Sequence, residues 1–189
     1  MPATGVLAIQ GDFDKHVEAL LGAGADPNAV KLVRTPEQLA EVDRLIIPGG
    51  ESTTVGLLLE RYGLGDAIKA RAREGMPVWG TCMGMILMAT DVEGPPQYTL
   101  GLLDITVRRN AFGAQVHSFE DEVAVSELGG PVTGVFIRAP IVTRLGTGVS
   151  PFGTYEGATV GARQGRLLGT AFHPELTEDV RLHRFFLRL

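Results

Sequence analysis

The sequence is short of cysteine, of clustered positive charge and of long apolar runs, and each shortage removes a class of function. A single cysteine, Cys82, in 189 residues excludes an internal disulfide framework and any metal site built from several thiolates, and makes a reducing cytoplasm the expected compartment. Lysine and arginine number 17 against 22 acidic residues, a net charge of -5. With no basic run, neither a nucleic acid nor a membrane surface is expected as a partner, because both need concentrated positive charge. No stretch of about 18 apolar residues occurs, and residues 1–5 carry no positively charged lead into an apolar core, so neither a membrane span nor a signal segment is expected. His16, His117 and His183 have no metal-ligand spacing and no cysteine partners, and read as structural or exposed. No internal repeat, low-complexity tract or linker divides the chain. Its length, with 44% hydrophobic and 21% charged residues, fits one globular domain over residues 1–189.

What is present is an alternation of short apolar runs and amphipathic segments. Val6-Leu7-Ala8-Ile9 carries the signal of a buried parallel strand, ending at Gln10-Gly11. Phe13, Val17, Leu20 and Leu21 then place one apolar stripe on a helix stopped by Gly22 and Gly24. Residues 29–33 repeat the strand signal, and Thr35-Pro36-Glu37-Gln38 supplies an N-cap, a first-turn proline and a capping-box glutamine. Leu45-Ile46-Ile47 runs into Pro48-Gly49-Gly50-Glu51-Ser52, where Ser52 is expected to cap a helix carrying Val55, Leu58, Leu59 and Tyr62. Gly63-Leu64-Gly65 follows that helix rather than a strand and lacks a third glycine, so it is not read as a dinucleotide loop. Pro77-Val78-Trp79 is a fourth short strand, followed at once by Gly80-Thr81-Cys82-Met83-Gly84 and an apolar helix through Ala89. These four units predict an α/β fold on a parallel sheet. After Asp91 the chain turns strand-rich. Residues 105–109, 116–125 and 132–138 read as extended, 153–165 as glycine-rich hairpin turns, and 167–172 as a strand ending at His173-Pro174-Glu175. A last helix aligns Leu182, Phe185, Phe186 and Leu189.

Three segments carry chemistry. Gly80-Thr81-Cys82-Met83-Gly84 has the glycine-x-nucleophile-x-glycine form of a nucleophile elbow, whose tight turn excludes bulky neighbours. A free thiol is only a few per cent thiolate at neutral pH, and both a helix N-terminus and a nearby imidazolium raise that fraction. The bland alternative is a small buried core residue. His173-Pro174-Glu175 supplies a base and its orienting carboxylate, since residues two apart in an extended segment face the same way. Alone, this tripeptide would read as a turn histidine beside a solvated glutamate. Pro48-Gly49-Gly50-Glu51-Ser52 lies at the carboxyl edge of a strand, where such sheets bind ligands. The N–H of Gly50, together with that of Met83, is a candidate oxyanion donor. Arg109 and Arg138 each end an extended segment and are candidates for pairing with a substrate carboxylate, although strand-end arginines are more often solvated.

Taken in order, these three segments resemble the class I, triad-type glutamine amidotransferases. Pro48-Gly49-Gly50-Glu51-Ser52-Thr53 and Ala8-Ile9-Gln10-Gly11 are similar, more narrowly, to the glutaminase subunit of pyridoxal 5′-phosphate synthase. Arg109-Asn110-Ala111-Phe112-Gly113, Ser118-Phe119-Glu120 and Phe136-Ile137-Arg138-Ala139-Pro140 extend the likeness over nearly the whole chain. The resemblance implies a three-layer α/β sandwich with a mostly parallel, flavodoxin-like central sheet, and Cys82, His173 and Glu175 as the triad. It also implies contacts to L-glutamine at Gly50, Glu51, Ser52, Arg109, Ile137 and Arg138, and no metal or organic cofactor. A hetero-oligomer is implied too, with a barrel-shaped synthase subunit that uses the released ammonia, a pentose phosphate and a triose phosphate to build pyridoxal 5′-phosphate. Such glutaminases are typically weak until the synthase docks and orders the oxyanion loop. Two positions depart from the family pattern: Met83 stands where alanine is usual, and Ala114 where arginine is usual. The alternatives are a triad glutaminase serving another acceptor, a general cysteine hydrolase of related fold, and a non-catalytic docking subunit.

Overall fold

A computed structural model describes residues 2–113 and 118–189. The expected strand start at Val116, the Ala114 departure and His117 lie outside the described residues.

The first half alternates strand and helix: β1 (Thr4–Leu7), α1 (Phe13–Gly22), β2 (Val30–Val33), α2 (Pro36–Ala40), β3 (Arg44–Ile47), α3 (Ser52–Arg61), α4 (Leu64–Arg73), β4 (Val78–Thr81) and α5 (Met83–Met88). The second half is mostly strand: β5 (Ala89–Val92), β6 (Leu103–Arg108), β7 (Ser118–Val125), β8 (Val132–Ile137), β9 (Ile141–Leu145), β10 (Ser150–Tyr155), β11 (Ala158–Gln164) and β12 (Leu167–Thr170), closed by α6 (Arg181–Phe186). β1, β3 and β4 are buried along their whole length, which is why their apolar residues run consecutively in sequence rather than alternating, while Thr4, Arg44 and Thr81 are buried at strand ends.

The sheet runs β2-β1-β3-β4-β12-β11-β10-β7-β8, and β9 joins β6 and β5 to β11. The first five strands of that order pair in parallel. With everything between β4 and β12 treated as one insertion, they follow the 2-1-3-4-5 order of a doubly wound sheet. The remaining pairs are antiparallel except β5 with β6. Helix α1 packs on α6 and β1, whereas α2, α3, α4 and α5 pack among themselves. The helices therefore form two layers about the sheet, and the expected three-layer α/β architecture is present, its central strands β2-β1-β3-β4-β12 parallel as expected and its second half mostly antiparallel.

Leu45, Ile46 and Ile47 of β3 and Trp79 of β4 sit fully buried at the centre, each aliphatic side chain there contributing roughly 1.5–3 kcal/mol. Trp79 satisfies its indole by donating to Thr170 Oγ1 at 3.0 Å, so the polar tip of the largest core residue ties β4 to β12.

Several local expectations change. Ser52 is not the cap of α3: Glu51 is, its carboxylate accepting from the N–H groups of Thr53 and Thr54, and a charged cap suits the positive end of the helix. Gln38 of the capping box reaches one residue further back than expected, accepting from Arg34 N–H at 2.8 Å. Helix α1 buries His16, Ala19 and Leu20 while Leu21 is 40% exposed, so its inner face is rotated from the all-apolar stripe. Residues 153–165 are mostly the paired strands β10 and β11. Glu156-Gly157 turns between them, both residues having positive φ, as a two-residue type I′ hairpin requires, and Gly165 begins the turn into β12. Helix α6 stops at Phe186, so Leu189 lies beyond its apolar face.

Candidate active site

The registers of three neighbouring strands bring the singled-out segments together. Ile47 pairs with Gly80, and Thr81 with Thr170, so the loops after β3, β4 and β12 leave the sheet side by side at its carboxyl edge. Gln10-Gly11, after β1, joins them at the switch point between β1 and β3, where open α/β sheets bind ligands.

Cys82 has φ 50 and ψ −107, a strained conformation for a residue with a side chain. Its N–H donates to Thr170 O at 2.7 Å, and its carbonyl accepts from Met85 and Ile86 to start α5. The flanking glycines are sterically obligatory. A Cβ at Gly84 would lie 2.0 Å from Ile47 O, and one at Gly80 would lie 2.3 Å from Gly84 C. The elbow expected from sequence is therefore present, with the thiol at the mouth of the strand and its Sγ 3.7 Å from Ile137 O.

His173 is fixed by its backbone N–H, which donates to Val135 O at 2.8 Å. Its Nδ1 pairs with Glu175 Oε1 at 2.7 Å, leaving Nε2 for the thiol. Glu175 reaches it from a short 3-10 turn over Pro174–Leu176 rather than from the extended segment expected. Both side chains are buried. Burial lowers the imidazole pKa, but hydrogen bonding with Cys82 and then with Glu175 outweighs it and pushes His173 up to about 10. Gly49 is needed for the same fit, because a Cβ there would meet His173 Cε1 at 2.5 Å.

A cavity of about 750 Å³ opens over Cys82 and His173, lined by Gly50, Glu51, Ser52, Met83, Arg109, Ile137 and Arg138. Every substrate-contact residue named from the sequence thus borders one space, and Glu175 stands behind His173. Among the described residues four non-glycine residues have positive φ, Cys82, Asn110, Arg138 and Glu156, and the first three line this cavity. Strain concentrated in this way is what a preorganised site needs. Glu51, held by the Thr54 hydroxyl and the N–H groups of Thr53 and Thr54, is lowered to about 2. Its own N–H donates to Gln10 Oε1 at 2.8 Å, anchoring the loop. The Met83 side chain leans on the same loop, its Cε lying 3.3 Å from where a Gly50 Cβ would be. Met83 also lines the cavity, with its N–H at the first turn of α5. Among the described residues no cluster of three or more His, Cys, Asp or Glu is placed to hold a metal.

Sequence reasoning missed four residues that shape this site. Gln10 braces the Gly50-Glu51 loop. Gln97 accepts from Ser52 Oγ at 3.2 Å and from Arg109 at 3.1 Å, linking two of the expected substrate contacts. His16 and His183, left as structural or exposed, are fully buried and hydrogen-bonded to each other at 3.0 Å. His16 Nε2 also approaches Thr81 Oγ1 at 3.1 Å and Glu175 Oε2 at 3.4 Å. None of these contacts leaves a local sequence signal, since each joins residues 12 or more positions apart.

Comparison with known proteins agrees with this geometry. The model of the SNO glutamine amidotransferase family matches residues 6–189. The pyridoxal 5′-phosphate synthase subunit PdxT of Herpetosiphon aurantiacus is 55% identical, the match covering 98% of each chain. That of Acidothermus cellulolyticus is 53% identical, over 100% of this chain and 93% of its own. A solved glutamine amidotransferase superposes with a TM-score of 0.93 at 49% identity, over 98% of this chain and 97% of that one. PurLQS from Thermotoga maritima shares the fold alone, with a TM-score of 0.73 at 15% identity over 100% of this chain and 99% of that one. With the elbow, the base and the glycine loop at one sheet edge, and a family match spanning nearly its whole length, the chain belongs to the SNO glutamine amidotransferase family.

Proposed function

We propose that this protein is the glutaminase subunit of a pyridoxal 5′-phosphate synthase, hydrolysing L-glutamine at Cys82 and passing the ammonia to a synthase partner. The observation that carries the reading is the placement of a strained Cys82, a His173 held by Glu175 at 2.7 Å and the Gly49-Gly50 loop around one cavity. The PdxT names of relatives at 55% and 53% identity supply the pathway.

In the proposed reaction the Cys82 Sγ–H proton moves to His173 Nε2, and Sγ attacks the side-chain amide carbon. The carbonyl electrons move onto oxygen, which accepts from the N–H groups of Gly50 and Met83. His173 then delivers that proton to the leaving nitrogen as the C–N bond breaks. Ammonia departs and a γ-glutamyl thioester remains. Water then attacks with His173 as base, the C–S bond breaks, and glutamate leaves. Arg109 and Arg138 pair with the substrate α-carboxylate, with Glu51, Ser52 and Ile137 completing the wall. Ammonia reaches a barrel-shaped synthase through a channel between the subunits, since bulk water would convert it to ammonium. A reducing cytoplasm suits the free thiol.

Glutamate release by the purified chain, alone and with the synthase subunit, tests this, with Cys82→Ala as the blank. Activity that rises with the synthase and vanishes in the variant is the expected result. Partner-independent turnover would replace the reading with a stand-alone hydrolase, and no turnover in an assembled complex would leave a docking subunit.

A further inference from the structure

The expected triad ends at Glu175, but the buried polar chain does not. Glu175 gives Oε1 to His173, while its Oε2 is buried without an aligned hydrogen bond and has His16 Nε2 at 3.4 Å. His16 comes from α1 and His183 from α6, the helices packed together on one face of the sheet. Both touch Trp79, the residue that ties β4 to β12. The geometry points to His16 as a positioning residue for the catalytic dyad: a neutral imidazole whose Nε2–H is held toward Glu175 by a hydrogen bond from His183. This rests on the triad reading above.

The tautomers follow from which buried atoms have partners. His183 Nδ1 is buried with none. If that nitrogen carried the hydrogen, an N–H donor would be orphaned in the core, the rarer and costlier situation. The hydrogen therefore sits on His183 Nε2 and donates to His16 Nδ1 across 3.0 Å. His16 must then carry its own hydrogen on Nε2, directed at Thr81 Oγ1 and the Glu175 carboxylate. The opposite arrangement would also set the His16 lone pair against the carboxylate oxygen. Two imidazole dipoles thus align with their N–H ends toward Glu175, favouring its negative charge, the imidazolium of His173 and, through it, the thiolate.

Among the described residues, the groups placed around His16 bring no competing charge. Around His16 the titratable groups are His183 from α6, and His173 and Glu175 after β12. β1 and β4 contribute only Thr81 and the Trp79 ring among uncharged residues. Arg181 is engaged by Asp179, and Glu51, Arg109 and Arg138 are exposed to solvent. Burial, then His183 and His173, hold His16 well below the usual histidine range, in keeping with a neutral ring.

The test is the pH dependence of Cys82 alkylation by iodoacetamide, which reads the thiolate without glutamine or synthase. In His16→Leu the half-maximal pH is expected to move up by about one unit, the scale of one charge-assisted hydrogen bond. The kcat for glutamine should fall roughly tenfold by the same amount of free energy, with KM unchanged. His16→Gln, whose amide restores an N–H near Nε2, should return both toward wild type. An unmoved alkylation profile in His16→Leu, or equal loss in both variants with no shift, would overturn the inference. His173→Ala separates the two readings: if it too leaves the profile unmoved, the triad itself is wrong. Should the variants fail to fold, nitrogen-15 spectra of histidine-labelled wild type decide the matter. A neutral Nε2–H pattern for His16 is expected, and an imidazolium or the Nδ1–H tautomer would overturn it.

Discussion

Adding one methyl group at Gly49 should disable the site while leaving the fold standing. A Cβ there would lie 2.5 Å from His173 Cε1, against the 3.4 Å at which ordinary contact begins. Gly49 does not have positive φ, so alanine adds no backbone strain of its own. The gap must be opened by moving either the ring or the loop by roughly 1 Å, and a displacement of that size at reacting groups costs on the order of 10²-fold. The ring is held by Glu175 at 2.7 Å and its backbone by Val135 O at 2.8 Å, so retreat breaks its alignment with the thiol. If the loop yields instead, the Gly50 N–H leaves the oxyanion position, and losing one such donor costs about 10²–10³-fold. Gly49→Ala should therefore lower kcat about a hundredfold by either route. Overpacking of this kind also costs typically 1–3 kcal/mol of stability. Glutamate release should accordingly be measured with the synthase subunit, at saturating glutamine, well below a Tm determined on the same sample. Gly22→Ala is the control, because its nearest new neighbour is Val180 Cγ1 at 3.4 Å and helix α1 ends there. A Gly49→Ala enzyme that turns over at near wild-type rate would refute the steric reasoning and the placement of His173.

Acid should weaken the fold through its buried imidazoles. His183, lowered to about 3 by burial, and His16 stay neutral in the folded chain, while the unfolded chain protonates both below about 6.5. This contribution is thus fully present above that pH and is lost on acidification, on the order of 2 kcal/mol at pH 5 from His183, with His16 acting in the same direction. The raised pKa of His173 acts above the unfolded value and does not oppose this. Urea unfolding at pH 7 and pH 5 checks the difference, and equal stabilities would contradict it. Gly84→Ala should be far worse than Gly49→Ala for folding, since its Cβ would meet the backbone oxygen of Ile47 at 2.0 Å. A loss above the usual 1–3 kcal/mol of overpacking, or no soluble protein, is expected, and a normal urea midpoint would show the elbow to be looser than described. Arg109→Ala should raise KM for glutamine about tenfold or more with kcat little changed, as loss of a uniform binding contact does. A fall in kcat at constant KM would remove Arg109 from substrate binding.

What the sequence disclosed about fold and site divides along physical lines. The fully buried parallel strands β3 and β4 carry short apolar runs, Leu45-Ile46-Ile47 and Val78-Trp79, and glycines that sit against backbone cannot be disguised, so the elbow and the loop after β3 could be located locally. Strand β9 exposes Thr143 and Arg144 and buries only Val142, so neither alternation nor an apolar run marks it. Helix α4 buries just Leu64, Gly65 and Ile68, too little apolar surface to stand out beside Tyr62-Gly63. Glu51 as the cap was hidden by the more familiar serine next to it. The His16–His183 pair was invisible for another reason: a buried polar residue on an amphipathic helix looks like an exposed one until its distant partner, here 167 residues away, is known.

The pairing of β4 with β12 also governs when the protein becomes an enzyme during its own synthesis. The nucleophile turn is translated early, but Cys82 N–H needs Thr170 O, and its base follows three residues later. Every strand from β5 to β11 is inserted between these two neighbours. A nascent chain halted anywhere before β12 holds a thiol without a base, on a sheet missing its fifth parallel strand. A chain that ends before β12 therefore lacks both Thr170 O, which holds the Cys82 turn, and His173.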